Sequence, residues 1–93
     1  MDDPEPVILP IEDTLDLHPF GPRDVASVVD EYLHQAVALG FGEVRLIHGR
    51  GIGVQRAAVQ SLLSRHPLVA SFFDAPPDRG GWGATVALLK TAP

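Results

Sequence analysis

Three groups of residues in this sequence combine side chains and spacings suited to chemistry. The first is Asp16-Leu17-His18, in which a carboxylate and an imidazole stand two positions apart. On a strand, such residues point to the same face, so Asp16 can orient His18, favour its protonated form, or share a divalent metal ion with it. An exposed polar pair that only solubilises a strand end is the simpler alternative, because chemistry requires a constellation of groups.

The second group is the glycine turn Gly49-Arg50-Gly51-Ile52-Gly53, which separates a predicted strand from a predicted helix. Glycines let the backbone approach an anion, and the N–H groups at a helix start point at it, so the turn predicts a phosphate site with Arg50 as a clamp. The spacing fits neither a Walker loop nor a dinucleotide fold, so we expect no nucleotide cofactor. A tight turn that needs glycine for its dihedral angles is the alternative.

The third group is Gly80-Gly81-Trp82-Gly83 together with His48, which precedes the glycine turn. The glycine-rich stretch predicts one of two structures. It is a flexible loop beside the substrate, with Trp82 free to stack on a base, or a hairpin loop whose tryptophan covers the edge of the core. His48 is a second candidate acid or base, a ligand, or a residue that holds the turn. It alternates with Val44 and Leu46, so it is structural if that face of the strand meets the helices.

Two other histidines are expected to have no role in chemistry. His34 lies on a predicted helix and His66 precedes Pro67; both are interpreted as surface or capping residues. Four histidines without a cysteine are too dispersed along the chain for a structural zinc site.

The elements that position these groups alternate between strands and helices. A helix is predicted from Pro22, with Gly21 as its cap, to a stop at Gly40, where a left-handed residue is expected. A second helix is predicted over 54–64, and Val7-Ile8-Leu9 could add an edge strand. The four main strands are predicted over Leu15–His18, Glu43–His48, Leu68–Ala75 and Ala84–Lys90.

This order, β-α-β-α-β-β, predicts an α/β fold of the two-layer α+β kind. Helices cover one face of a mixed four-stranded sheet, and the other face is partly open. The first two strands are parallel, so His18 and His48 end at one edge, and an antiparallel last strand brings the loop 80–83 to the same edge. We expect this edge, called the rim below, to hold the ligand.

Composition limits the classes of protein that this sequence can encode. Its 93 residues suffice for one domain, and the absence of cysteine excludes disulfides and thiolate metal sites. Residues 1–13 are an acidic, proline-containing tail, and residues 14–93 form the domain. No apolar run approaches the ~18 residues of a membrane span, so we expect a soluble, cytoplasmic monomer without a membrane partner.

The net charge of −5 comes from the tail, because acids and bases balance from Thr14 onward. Six of the seven bases are arginine, which suits bidentate phosphate contacts, although a neutral body predicts a weak grip on a long polyanion.

At these residues the sequence resembles the Smr (small MutS-related) domain family. The family's LDLH-type motif stands here as Leu15-Asp16-Leu17-His18, its HG-(Lys/Arg)-G motif as His48-Gly49-Arg50-Gly51, and its glycine-rich stretch as Gly80–Thr85. The resemblance covers about residues 14–90 and indicates a stand-alone Smr protein. Two departures are Pro19, where a glycine is common, and Arg50, where lysine is more usual.

The resemblance implies a fold like the C-terminal domain of bacterial translation initiation factor 3, with the fourth strand between the second and third. It also implies a nicking or RNA-cleaving endonuclease, assisted by Mg²⁺ or Mn²⁺, in DNA repair and recombination or RNA quality control. DNA or RNA, and a ribosome or repair complex, are the implied partners. The resemblance implies Asp16 and His18 as the catalytic pair, and His48, Gly49, Arg50 and Gly51 as a phosphate-binding or structural motif. His48 stays a third catalytic candidate, and Asp16 and His18 are the candidate metal ligands. The candidate phosphate and nucleic-acid contacts are Arg23, Gly49, Arg50, Gly51, Gly53, Gly81, Trp82 and Gly83.

Two other functions compete with a nuclease. A non-catalytic module could bind nucleic acid or a ribonucleoprotein through the same rim. An interaction domain could instead dimerise through the open sheet face, since the last strand is rich in alanine and leucine.

Overall fold

A four-stranded sheet carries two helices on one of its faces. The computed structural model describes residues 11–51 and 53–90, so the predicted strand at Val7–Leu9 lies outside the described residues. The elements follow the predicted order: β1 (Thr14–Asp16), α1 (Val25–Ala38), β2 (Glu43–Ile47), α2 (Val54–Arg65), β3 (Val69–Asp74) and β4 (Ala84–Leu89), with two short 3₁₀ helices, Pro77–Arg79 and Gly81–Gly83, before β4.

The strand order is β1-β2-β4-β3. β1 and β2 are parallel, with Asp16 opposite Ile47, and β4 is antiparallel to both β2 and β3. The mixed sheet, the antiparallel last strand and its place between β2 and β3 confirm the predicted fold. The carboxyl ends of β1 and β2 and the start of β4 therefore lie at one edge.

The core lies between the helices and the sheet. α1 buries residues at helical spacing along one side, among them Val25, Val29 and Leu33, against Leu46 and Ala87 of the sheet. An apolar stripe of this kind is what fixes a helix on a sheet. Val59 and Leu63 of α2 complete the same cluster.

The ends of α1 show one wrong prediction and one confirmed one. The helix begins at Val25 rather than Pro22, because residues 22–24 form a turn in which the Asp24 N–H donates to the Gly21 carbonyl at 2.9 Å. At the other end Gly40 has φ +85°, and the Phe41 N–H donates to the Ala36 carbonyl at 2.9 Å. This is the hydrogen-bond pattern of a left-handed glycine stop.

The opposite face of the sheet is partly open, as predicted. Ala75, Ala84 and Val86 form a small buried cluster there. The loop before β4 is tied to this face by a hydrogen bond of 2.7 Å from the Arg45 guanidinium to the Arg79 carbonyl. Phe73, which pairs with Val86, is 45% exposed and marks the uncovered part. Within 11–51 and 53–90, no helix has the length and apolarity that crossing a bilayer requires.

β1 is held from both sides, and this fixes the direction of its polar residues. The Leu17 N–H donates to the Ile47 carbonyl at 2.8 Å, and the Tyr32 hydroxyl donates to the Glu12 carbonyl at 2.5 Å. Burial raises the pKa of Tyr32 to about 12, so its hydroxyl stays a donor. With Leu17 fully buried, the alternation of a strand directs Asp16 to the other face.

We expect Leu17→Ala to lower the free energy of unfolding by about 2–5 kcal/mol, because it removes a fully buried side chain and leaves a cavity in the core. Leu39→Ala is the matched control; Leu39 is 58% exposed, and its change should stay within about 0.5 kcal/mol. Urea denaturation followed by circular dichroism measures both. Equal effects would show that Leu17 does not anchor β1.

Candidate functional site

Asp16 and His18 form a hydrogen-bonded pair at the rim. His18 Nδ1 lies 2.6 Å from Asp16 Oδ1, and the same oxygen accepts the backbone N–H of His18 at 2.9 Å. The backbone N–H first, and the ring second, hold the pKa of the Asp16 carboxyl below its usual value. Since an ionised carboxylate only accepts, Nδ1 carries the proton, and in its neutral form the ring has its lone pair at Nε2.

His18 lies directly against Gly49, which joins the first group of residues to the second. A Cβ placed on Gly49 would be 2.9 Å from His18 Nε2, and Gly49 has φ +84°. Real Cβ atoms are not found so close to a ring atom, and other residues rarely adopt this φ. Gly49 is thus required twice, for its conformation and for the room it leaves to the ring.

Arg50 joins the second group to the third. A Cβ on Gly81 would lie 3.1 Å from a terminal nitrogen of Arg50, and a Cβ on Gly83 would lie 3.0 Å from its Cγ. The Gly83 carbonyl accepts the N–H of His48 at 3.1 Å and that of Gly49 at 2.8 Å. All three groups of residues therefore meet at one edge of the sheet, where the strand order predicts them.

The other glycines of the turn serve its backbone conformation. Gly51 has φ +29° and Gly53 has φ +83°, and a Cβ on either would meet nothing within 4 Å. Gly53 caps α2 without a side-chain oxygen for the N–H groups of the first helical turn. Because the Gly49 N–H is already bonded to Gly83, it is not free for an anion, whereas Arg50 and the N–H groups at the start of α2 are donors suited to one.

His48 faces the helices and is buried, with 6% of the residue exposed. Its Nδ1 lies 3.0 Å from the Gly49 carbonyl, and its Nε2 lies 2.8 Å from Thr85 Oγ1. A carbonyl can only accept, so Nδ1 donates and the Thr85 hydroxyl donates to Nε2. Burial lowers the pKa of His48. Both nitrogens are engaged in the neutral ring, so His48 ties the turn at Gly49 to Thr85 of β4.

A hydrogen-bonded network behind His48 was not predicted from the sequence. Gln60 Nε2 donates to Thr85 Oγ1 at 3.2 Å and to Asp74 Oδ1 at 3.0 Å, and Arg56 binds Asp74 through two bonds of 2.9 and 2.8 Å. Arg56 is the main cause of the lowered pKa of Asp74. The signal for this network in the sequence was Thr85, the single polar residue of β4.

Arg23 and Trp82 are exposed at different places. Arg23 lies in the turn between His18 and α1, and no hydrogen bond or ion pair joins it to another residue of 11–51 or 53–90. Trp82, in the second 3₁₀ helix, is 46% exposed and lies between two glycines that Arg50 contacts. Trp82 therefore stands beside the contacts described above, and Arg23 forms none of them.

Asp16 and His18 do not fit a resident metal site. Their nearest donor atoms, Oδ1 and Nδ1, bind each other, and Nε2 lies against Gly49. This leaves one free carboxylate oxygen and the Nε2 lone pair, whereas Mg²⁺ prefers several oxygen ligands.

His34 and His66 are closer together than their sequence separation indicated. Their ring centroids are 5.6 Å apart, and with Asp30 they offer donor atoms within 4.8 Å of one another. The expectation that the histidines are dispersed is wrong for this pair. His66 is nevertheless the predicted cap: it ends α2, its Nδ1 accepts the Leu68 N–H at 3.1 Å, and its Nε2 donates to Asp30 at 2.8 Å. The proton on Nε2 occupies the position that a metal would take.

Comparison with known proteins gives one consistent result. Residues 15–90 match the family model of the Smr domain. The chain is 42% identical over 76 residues to endonuclease MutS2 of Staphylococcus carnosus and 48% identical over 62 residues to endonuclease MutS2 of Thermus thermophilus. These alignments cover 82% and 67% of this chain but 10% and 8% of the relatives, so the chain spans about a tenth of their length.

Two solved structures share the fold. The Smr domain of Thermus thermophilus MutS2 aligns with a TM-score of 0.79 at 42% identity, covering 83% of this chain and 96% of that chain. YdaL of Escherichia coli, a stand-alone small MutS-related protein, aligns with a TM-score of 0.81 at 27% identity, covering 88% of this chain and 67% of that chain.

Gly49→Ala should both destabilise the protein and displace the His18 ring. Gly40→Ala is the matched control, because Gly40 has φ +85° against +84° for Gly49, while a Cβ there meets nothing within 4 Å. The left-handed conformation should cost each variant about 1–2 kcal/mol of unfolding free energy. Only Gly49→Ala should also shift the His18 ring resonances in NMR spectra. Unchanged resonances would show that the ring does not rest on Gly49.

The stability that His48 provides should decrease in acid. Its pKa is lowered in the folded protein, so below the unfolded value of about 6.5 the unfolded chain binds the proton more readily. The difference in unfolding free energy between the parent and His48→Gln should therefore be full above pH 6.5 and shrink as the pH falls to 5. Urea denaturation at several pH values measures it. A constant difference would mean that His48 titrates alike in both states.

Proposed function

Because the chain belongs to the Smr domain family, we propose that it is a nucleic-acid endonuclease that cleaves phosphodiester bonds in DNA or RNA at the rim. Relatives that share this domain are named endonucleases. The observation that carries the proposal is the Asp16–His18 hydrogen bond of 2.6 Å, with Nε2 turned towards the glycine turn.

In this proposal His18 moves the proton and Asp16 orients it. The attacking group is water or, in RNA, a ribose 2′-hydroxyl. Nε2 accepts the proton of this group as the new P–O bond forms. The imidazolium then returns the proton to the oxygen that leaves phosphorus. The ionised carboxylate of Asp16 keeps Nδ1 protonated and stabilises the imidazolium, as a carboxylate does beside a catalytic histidine. His48 supports the turn and takes no part in proton transfer.

Charge that develops on the phosphoryl oxygens would be met by Arg50 and by the N–H groups at the start of α2. Arg50 suits this role because a guanidinium offers two parallel donors to a phosphate. Its side chain is held against Gly81 and Gly83, so its position is partly fixed before the substrate binds. Donors that are preorganised in this way stabilise a transition state more than mobile ones do.

A divalent ion enters the proposal only as a ligand of the substrate. The one free oxygen of Asp16 would not hold Mg²⁺ or Mn²⁺ in the absence of nucleic acid, because these ions are usually bound by carboxylates together with phosphates. When bound, such an ion would neutralise phosphate charge. The proton transfer assigned to His18 does not depend on it.

Asp16→Asn and His18→Gln should each lower the cleavage rate by about 10²-fold or more, since positioned acid–base groups contribute ~10²–10⁴-fold. The measurement uses end-labelled single-stranded, duplex and hairpin DNA and RNA, each with Mg²⁺, Mn²⁺ or a chelator. We expect activity to survive the chelator.

Asp30→Asn and His34→Gln are matched controls for this assay. Asp30 and His34 form another exposed carboxylate–imidazole pair, 3.5 Å apart on α1, and their variants should cleave normally. Equal activity of the Asp16 and His18 variants with the parent would refute the catalytic assignment. If the parent cleaves nothing but binds in a manner that Arg50→Gln abolishes, the domain is the non-catalytic binding module.

A further inference from the structure

Trp82 stands between the two glycines that Arg50 contacts. It is the middle residue of the 3₁₀ helix Gly81–Gly83, it is 46% exposed, and it is the single tryptophan of the chain. With 3.0 residues per turn, side chains of a 3₁₀ helix leave in three directions about 120° apart. Arg50 occupies the directions of Gly81 and Gly83, so the indole leaves in the third direction, one residue away from each of these contacts.

Charge alone gives the rim only a weak affinity for nucleic acid. Arg56 is bound to Asp74, and Arg79 lies 3.7 Å from Glu43. Among the residues that the structure describes, no carboxylate lies within 4 Å of the Arg50 guanidinium. One or two phosphate contacts of this kind give a salt exponent of only about 0.7 each with a single strand.

Binding at such a rim needs a contact that does not depend on charge, and an exposed indole supplies one. Stacking of a base on an aromatic ring tolerates any base, because every base has a π face. In a duplex, neighbouring base pairs cover those faces, so a base must first be unstacked before it can reach the ring. A single strand presents its bases without this cost.

Resting on the proposed function, we infer that Trp82 is a stacking platform for an unpaired base next to the phosphate at Arg50. The preferred ligand is therefore single-stranded nucleic acid, or an unpaired loop, rather than a duplex. The glycines on both sides of Trp82 add no side chain that would cover the ring. A Trp82 that merely covers the edge of the core would respond to no ligand.

The test compares oligo(dT) with an abasic strand of equal length, which has the same phosphates and no bases. Anisotropy of a labelled strand gives the Kd, and quenching of the intrinsic emission reports on Trp82 alone, since the chain has one tryptophan. We expect oligo(dT) to bind more tightly than the abasic strand or a duplex, and to quench the emission.

Trp82→Ala should raise the Kd for oligo(dT) about 5- to 150-fold, the effect of losing one stacked base. It should leave the Kd of the abasic strand unchanged, and Trp82→Phe should recover part of the loss. Arg50→Gln should weaken both strands. Leu39→Ala, a change at an exposed apolar residue where α1 ends, is the matched control and should alter neither Kd.

The outcomes separate the two proposals. Binding that depends on Arg50 but is equal for both strands, or is unaffected by Trp82→Ala, overturns the stacking inference and leaves the proposed function standing. The same result follows if the duplex binds as tightly as oligo(dT). If neither strand binds the folded parent, or if Arg50→Gln changes nothing, the proposed function fails first.

Discussion

The close approach of His18 to Gly49 is the constraint on which the rest of the rim depends. A Cβ on residue 49 would be only 2.9 Å from His18 Nε2, and the backbone of Gly49 has φ +84°. This one contact brings together an imidazole from the end of β1 and a turn that begins about thirty residues later. The hydrogen bond from the Leu17 N–H to the Ile47 carbonyl brings the two segments side by side, and the approach of the ring to Gly49 sets their contact at the rim.

Hydrogen bonds to the Gly83 carbonyl hold Gly49 in position for this contact. Gly83 accepts the N–H groups of both His48 and Gly49, so the loop before β4 and the turn after β2 form one unit. Behind it, the buried ring of His48 bonds the Gly49 carbonyl and Thr85. Buried polar groups with all partners satisfied give a rigid arrangement, because each unmade bond would cost about 1–3 kcal/mol.

Charge is distributed so that, among the residues the structure describes, Arg50 has no ion-pair partner whereas two other arginines do. Arg56 is neutralised by Asp74, and Arg79 approaches Glu43. The proposed chemistry therefore uses a small number of well-placed groups rather than a broad basic surface. That arrangement favours recognition of local structure in the nucleic acid over affinity for long polyanions.

The sequence by itself determined the architecture and the meeting of the three motifs. Alternation in Leu15-Asp16-Leu17-His18 fixed which residues face the core, and the strand–helix order fixed parallel pairing, because these depend on local patterns and on rules of handedness. It could not determine the start of α1, since Pro22 is compatible with a helix and with the turn that Asp24 closes.

The tertiary structure alone decided which face His48 takes and what it bonds, because its alternation with Val44 and Leu46 fitted either face until the helices were placed. It also decided the network of Gln60, Asp74 and Arg56 and the contact of His34 with His66. These contacts join residues from different elements, and no local pattern encodes the distance between two side chains on separate elements.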